Sequence, residues 1–449
     1  MNNIQKGTNM DNQYSYEKMI IGKILYFYRK NSKETLKSFL YNKGKFYNEN
    51  CLMCDRCTNK EYICTPRTLN KIEKGEYFTK KDCYYYRLCE KFSLKFSINS
   101  LLLSKIEIYR NILIENLIDF SKSKLKALSA NIELELNKNG DIIYYSEMLN
   151  LYLSVIKYKL YRTIATDKDI RLYKYLFDHV KEDDKKIILV FLFDMTYRVT
   201  MDCLNREEIM IKAHPYLDEP ILYKIKMTHI SEMNYLEAYQ CFEKEENNKG
   251  KITNYQFYTL LQYKAFIFFN SGNFEKSYNI LKESLLIPKI DELSDYDLLG
   301  CYKKLAIICF SLGNYEEAIN YYYLNLKYEN SLGNNYVLLF YSLETENRSE
   351  EIRAIIEQIN IDSIRYSSEK TILEYYKMKY SCNCKSKENA KWLEEYIVKQ
   401  IKPYFEEMGI LHKKIFISDL KKLVNITGDY KKLDKVLDIE IGNINDECS

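Results

Sequence analysis

Four cysteines stand close together near the start of the chain, Cys51-Leu-Met-Cys54-Asp-Arg-Cys57 and then Cys64. With 13 cysteines in 449 residues, four within 14 is about ten times the average density. The spacing C-x2-C-x2-C-x6-C could offer four thiolates to a tetrahedral zinc ion, because a C-x2-C turn aims two sulfurs at one metal. The first three cysteines also fit the start of an iron–sulfur run. The third reading is four unliganded thiols, with Cys64 a small buried residue. The spacing leaves all three open. Elsewhere no catalytic constellation is found: there is no phosphate loop, no G-x-G-x-x-G, no H-E-x-x-H and no G-x-S-x-G. His179, His214, His229 and His412 are scattered. No enzymatic activity is expected.

The second group with chemistry to offer is Cys64-Thr-Pro-Arg-Thr-Leu-Asn-Lys-Ile-Glu-Lys-Gly75. Thr65 is a good helix N-cap, Pro66 suits the first helical position, and Gly75 suits the left-handed residue past the end. On that helix Leu69 and Ile72 would face inward. Thr65, Arg67, Thr68, Asn70, Lys71 and Lys74 would point out. Its surroundings are basic. Residues 1–100 hold 19 Lys and Arg against 10 Asp and Glu, net +9, whereas the remaining 349 residues hold 48 against 53, net −5. A small basic head on a mildly acidic body points to polyanion binding by the head.

The elements that must position these residues are helices. Glycine (13) and proline (5) make up about 4% of the chain against a usual ~12%, too few for a β-sandwich or a nucleotide-binding α/β fold. Ile20–Arg29 places Ile20, Ile24 and Phe27 on one face, with Lys23 and Arg29 turned outward. Ser32–Tyr41 carries Leu36, Phe39 and Leu40, and Lys80–Phe92 carries Tyr84, Leu88 and Phe92. The 44 tyrosines, with abundant Ile, Lys and Asn, read as compositional bias rather than function. Met1–Lys18 has no apolar stretch of a secretory signal, and the longest apolar run, Ile187–Phe193, is far short of the ~20 residues that span a bilayer. A cytoplasmic protein with no membrane contact is expected.

The order of these segments, ending in Thr-x-x-Thr-Leu-x-x-Ile-Glu-x-Gly, resembles the Xre-type helix-turn-helix domain. The resemblance implies that Thr65–Lys74 enters the major groove of double-stranded DNA. Arg67 would then pair with guanine, Asn70 with adenine, and Lys71 with base or phosphate. In that family a small buried cysteine often precedes the recognition helix. The sequence departs from the pattern at Asn42–Ile63, an insertion where most such domains have a short turn, and so leaves the spacing of the two helices in doubt.

From about Glu107 onward one helical pattern follows another. Asn234-Tyr-Leu-Glu-Ala238-Tyr recurs as Gly272-Asn273-Phe-Glu-Lys-Ser277-Tyr and as Gly313-Asn314-Tyr-Glu-Glu-Ala318-Ile, at intervals of 39 and 41 residues. Ala265 and Ala306 lie 12 residues upstream of the small residue in the last two copies. This resembles the tetratricopeptide repeat, with a period longer than the usual 34 that implies extended helices. The expected fold is all-α: a helix-turn-helix domain over 1–105 with the Cys-rich insertion 42–63, then a tetratricopeptide-like α-solenoid over 106–449. Aligning the small residues puts Gln262, Phe266, Phe269, Asn270, Lys303, Ile307 and Phe310 on a concave wall suited to an extended peptide. For Phe266 and Phe269 an inter-repeat core position is equally consistent.

This plan resembles the RRNPP regulators (the Rgg, PlcR and PrgX type). The resemblance implies a homodimer on a palindromic operator whose DNA binding responds to a short signalling peptide, as in quorum sensing. The alternative is a tetratricopeptide adaptor that binds a regulatory protein without sequence-specific DNA binding. The insertion generates its own test. Protein purified without a metal-affinity tag should carry about one zinc per chain if Cys51, Cys54, Cys57 and Cys64 bind one ion. Iron would point to the cluster, and neither metal to unliganded thiols.

Overall fold

The computed structural model describes residues 5–32, 35–40, 63–76, 82–196, 204–328, 332–364, 367–381, 386–433 and 436. Among them the chain is all-helical, with one isolated parallel bridge between Lys95 and Ile142 and no strand. No helix among them is long and apolar enough to cross a membrane.

The helices, in order, begin with α1 (Gln5–Asn31), α2 (Leu36–Leu40), α3 (Pro66–Lys74) and α4 (Cys83–Glu90). Then come α5 (Ser100–Ile118), α6 (Lys122–Asn139), α7 (Tyr145–Tyr161), α8 (Asp167–Leu176), α9 (Glu182–Thr196) and α10 (Arg206–Ala213). They continue as α11 (Tyr223–Ser231), α12 (Tyr235–Glu246), α13 (Asn254–Asn270), α14 (Phe274–Ser284), α15 (Asp295–Ser311) and α16 (Tyr315–Tyr328). The last are α17 (Tyr336–Thr345), α18 (Ser349–Gln358), α19 (Ser367–Ser381), α20 (Lys387–Tyr396) and α21 (Ile410–Thr427). Asn99, Ser121, Thr166, Asn205 and Asn234 each start a helix by accepting a backbone N–H two or three residues on. That satisfies a donor the helix itself cannot.

Residues 1–264 with 284–296 form one compact unit, and 265–283 with 297–449 a second. The first unit is built around α7 and α9. The apolar run Ile187–Phe193 is the middle of α9 and is buried on every side, as expected of a helix with no polar face. Residues 1–105 share this unit with 106–264. The N-terminal helix α1 is fastened to it: Tyr16 Oη accepts the Lys181 N–H at 2.8 Å, Tyr28 Oη donates to Glu147, and Phe27 lies 6.0 Å from the Tyr175 ring.

The repeat motif shapes helical hairpins. Ala238, Ser277 and Ala318 are fully buried, as are Ala265 and Ala306 upstream. Ser277 Oγ donates to the Ala265 carbonyl at 2.8 Å, so α13 and α14 approach to a side-chain hydroxyl's length. Gly272 and Gly313 both have φ of +77° and end the first helix of their hairpins in a left-handed turn. Between successive hairpins Tyr278 Oη donates to Glu317 at 2.5 Å and Lys282 Nζ to Tyr321 Oη at 3.0 Å. The long period has two sources: α13 and α15 run 17 residues each, and a connector carrying a short 3-10 turn, Ile290–Glu292, precedes α15.

Two expectations about side-chain direction fail. Arg29 does not turn outward; it is 7% exposed and paired with Glu73. On α4 the buried positions are Tyr85, Leu88 and Cys89, with Tyr84 half-exposed. The run Tyr84–Tyr86 offers three equivalent apolar residues, and periodicity alone cannot choose among them.

The seating of α1 sets up a pH dependence. Glu17 is 1% exposed and its Oε2 has no hydrogen-bond partner. Burial pushes its carboxyl up to about 7, against partial offsets from its own backbone N–H and from Lys181. A raised carboxyl pKa means the native state holds a proton the unfolded chain has released, so stability falls as pH rises from about 4.5 to 7. Glu17→Gln imitates the protonated form. Its melting temperature relative to the parent should be higher at pH 8 than at pH 5; an equal difference at both would refute the burial argument.

Candidate nucleic-acid interface

The candidate interface is α3. Thr65 caps it, its hydroxyl accepting the Thr68 N–H at 3.1 Å, with Pro66 in the first turn. At the other end Gly75, at φ +75°, lets its N–H reach the Ile72 carbonyl at 2.9 Å and the Glu76 N–H reach the Lys71 carbonyl at 2.8 Å. Nine residues are thus closed at both ends by their own sequence.

One face of α3 is fixed in the protein. Leu69 and Ile72 have no exposure, and Glu73 has 5%. Glu73 accepts two hydrogen bonds from Arg29 of α1, Nε to Oε1 at 2.6 Å and Nη2 to Oε2 at 2.7 Å. This is a fork-to-fork pair, whose planar geometry fixes rotation as well as distance. Glu73 in turn holds the guanidinium above its ordinary pKa. The opposite face is open: Thr65, Arg67, Asn70, Lys71 and Lys74 are exposed and Thr68 is half-exposed. All six residues expected to face DNA therefore lie on one accessible surface.

The insertion does not separate α2 from α3. The Ile63 N–H donates to the Leu40 carbonyl at 3.0 Å, so the chain leaves and returns at one point. Phe39, Leu40 and Ile63 are buried there. Cys51, Cys54 and Cys57 lie outside the described residues. Cys64 is 8% exposed, and burial, with the Glu73 charge adding to it, pushes its thiol up to about 12. In these surroundings it packs as a neutral apolar residue. Among the described residues no group of three or more His, Cys, Asp and Glu could hold a metal ion.

The residues expected on the peptide-binding wall separate into three kinds. Gln262 is 8% exposed and donates from Nε2 to Ser284 Oγ at 2.9 Å; Phe310 is 7% exposed, its ring 5.5 Å from Tyr315 and 5.6 Å from Tyr341. Both are interior, which corrects their placement on an open surface. Phe269 is half-buried against Phe274 at 5.4 Å, and Lys303 and Ile307 are half-buried. Phe266 and Asn270 are exposed.

Searches against protein-family models, curated proteins and solved structures found no match. The functional reading stands on the residues alone.

Two features of the site escaped the sequence reading. Gly22 sits mid-helix in α1, and a Cβ there would lie 2.0 Å from the Ile72 carbonyl oxygen. A glycine inside an amphipathic helix of a glycine-poor chain was the available signal of close backbone approach. The Arg29–Glu73 pair had none, because charges on helices are ordinarily solvated.

Gly22→Ala tests this packing by the sign of its effect. In an unconstrained helix the change stabilises by ~1 kcal/mol. Here overpacking against backbone should instead cost about 1–3 kcal/mol or more. Thermal melts followed by circular dichroism should show a lower midpoint. A raised midpoint would mean α1 and α3 are not in backbone contact.

Proposed function

We propose that this protein is a DNA-binding transcription regulator that reads duplex DNA through α3. The observation that carries the reading is the two-faced character of that helix: Arg67, Asn70, Lys71 and Lys74 exposed in one stripe, Leu69, Ile72 and Glu73 locked behind them. A helix so held can present base-reading side chains at fixed register. Arg67 matches the acceptor pair of guanine, Asn70 the donor–acceptor pair of adenine, and Lys71 and Lys74 suit phosphates. The net +9 of residues 1–100 adds the sequence-independent attraction.

Two further elements belong to the proposal. One short reading helix gives few base contacts, so the functional form is a homodimer on a palindromic site. Control comes from a short peptide bound by the repeat region, where Phe266 and Asn270 are exposed and Phe269, Lys303 and Ile307 half-exposed within the second unit. An extended peptide needs backbone partners and apolar pockets, which amides and aromatic rings supply.

Site selection on random duplexes followed by affinity measurement tests the core claim. Arg67→Ala should cost about 1–3 kcal/mol on the selected site and relax base preference at one position, while Lys74→Ala should weaken all sequences alike and reduce the salt slope. Sedimentation should show a dimer on the selected duplex. No sequence enriched by the parent protein, or an unaltered profile for Arg67→Ala, would refute the assignment and favour a protein-binding adaptor.

A further inference from the structure

Two cavities in the first unit share Tyr255 as a common wall. The larger, about 360 Å³, is walled by Phe120, Tyr255, Tyr258, Ile287, Ile290 and Leu293. Phe120 and Tyr255 rings stand 5.3 Å apart. Polar groups share the lining with these side chains: Lys124 and Lys289, both exposed, and the acids Asp119 and Glu292. Its size falls in the range of sites that enclose most of a small organic molecule.

The smaller cavity, about 20 Å³, is of a different kind. It is walled by Lys159, Asp194, Lys224, Gln256 and Thr259 beside Tyr255. Lys159 Nζ lies 2.6 Å from Asp194 Oδ2 and Lys224 Nζ 3.4 Å from Oδ1, so two ammonium groups flank one carboxylate. The Lys159 and Asp194 side chains are 9% and 2% exposed, yet Lys224 keeps 28%. The Lys224 side chain thus keeps part of its length at the surface while its ammonium sits beside Asp194. Arg162 acts on the same three groups from further away, and its guanidinium lies 5.0 Å over the Tyr158 ring. Charges taken out of water demand close partners, and a cationic cluster next to a void favours an anion within it.

We infer that the paired cavities form a binding site for an apolar ligand that ends in a carboxylate. The aromatic chamber takes the apolar body, and the carboxylate passes the edge of Tyr255 toward Lys224 and Lys159. The smaller cavity has room for about one water or the tip of a small head group. Gln256 and Thr259 are the neutral polar groups at hand; Gln256 Nε2 donates one N–H to the Pro220 carbonyl at 3.0 Å and has a second to offer, whereas the Thr259 hydroxyl is already donated to the Tyr255 carbonyl at 2.9 Å. The ligand chemistry has two natural sources, a free carboxylic acid or the C-terminus of a short peptide. The site is independent of α3 and of the DNA reading.

Calorimetry on the full chain tests it with defined probes: 3-phenylpropionate and octanoate as free acids, and the tetrapeptide Ala-Leu-Phe-Phe with a free C-terminus. 3-Phenylpropionamide and the amidated tetrapeptide are the neutral controls. At least one carboxylate probe should bind about tenfold or more tighter than its amide, the loss typical of removing one charged partner. Lys224→Met should abolish that preference, and Lys224→Arg should retain it. Tyr258→Ala should weaken acid and amide equally, since it touches only the apolar body. Tighter binding by the small acids identifies a metabolite-like ligand; tighter binding by the tetrapeptide identifies a peptide terminus. Equal affinity for acids and amides, no binding by any probe at millimolar concentration, or an unchanged acid preference in a folded Lys224→Met protein would each overturn the inference. Circular dichroism of every variant establishes that it is folded.

Discussion

Everything proposed for the head of this chain depends on how closely α1 and α3 approach. At Gly22 the backbone of one helix meets the backbone of the other, with no side chain between them. Such contact leaves no slack. Gly75 adds a second point, since a Cβ there would lie 2.4 Å from Met19 Cγ. The Arg29–Glu73 pair closes the third side with two hydrogen bonds between groups that are 9% and 4% exposed. A buried ion pair is weak evidence of net stability, because desolvation offsets most of its attraction. Its value here is directional. Replacing it with two apolar residues could keep the packing, but a planar fork fixes the rotation of α3 about its own axis, which decides where Arg67 and Asn70 point.

The same helix carries a second set of contacts. Along α1, residues 22 and 29 face α3, while Tyr16, Phe27 and Tyr28 reach Lys181, Tyr175 and Glu147. A helix with two sets of partners couples them: α7, which carries Glu147, and the segment at Lys181 cannot shift far against α1 without moving α3 or breaking the hydrogen bonds of Tyr28 and Tyr16. A ligand would act on α3 through α1 only where it prefers one arrangement of these helices over another.

Legibility in the sequence followed the physics of each feature. The ends of α3 were readable because capping is local: Thr65, Pro66 and Gly75 act within one turn of themselves. Leu69 and Ile72 were readable because burial imposes a period on apolar residues. The repeat hairpins were readable because close helix packing demands small residues, and Ala265, Ser277, Ala306 and Ala318 are all buried. What the sequence hid is non-local. Gln262 and Phe310 looked like wall residues because aligning small residues orients one helix on its partner and says nothing of the next layer. Glu73 meets Arg29 across 44 residues, and Lys159, Asp194 and Lys224 come from three helices. No spacing within a segment announces such a meeting.

Tyrosine is the case where composition misleads most. An excess of 44 reads as codon bias, and bias can supply the residues without explaining what they do once folded. In the structure several phenols join helices by donating to acidic side chains. Tyr152 reaches Asp184 at 2.7 Å, Tyr375 reaches Asp419 at 3.0 Å and Tyr396 reaches Glu374 at 2.9 Å, each pair from two different helices. A phenol suits this position because its ring fills a core site while its hydroxyl satisfies a carboxylate that has lost its water. A hydrogen bond to a charged group contributes about 1.5–3 kcal/mol, more than one between neutral partners. Phenylalanine at such a site would keep the packing and remove one partner of the acid, leaving Asp184 to Arg110 and Asp419 to Lys379. In these three pairs the tyrosine helps to fix which helix lies beside which, a task that caps and turns, acting within one segment, do not perform.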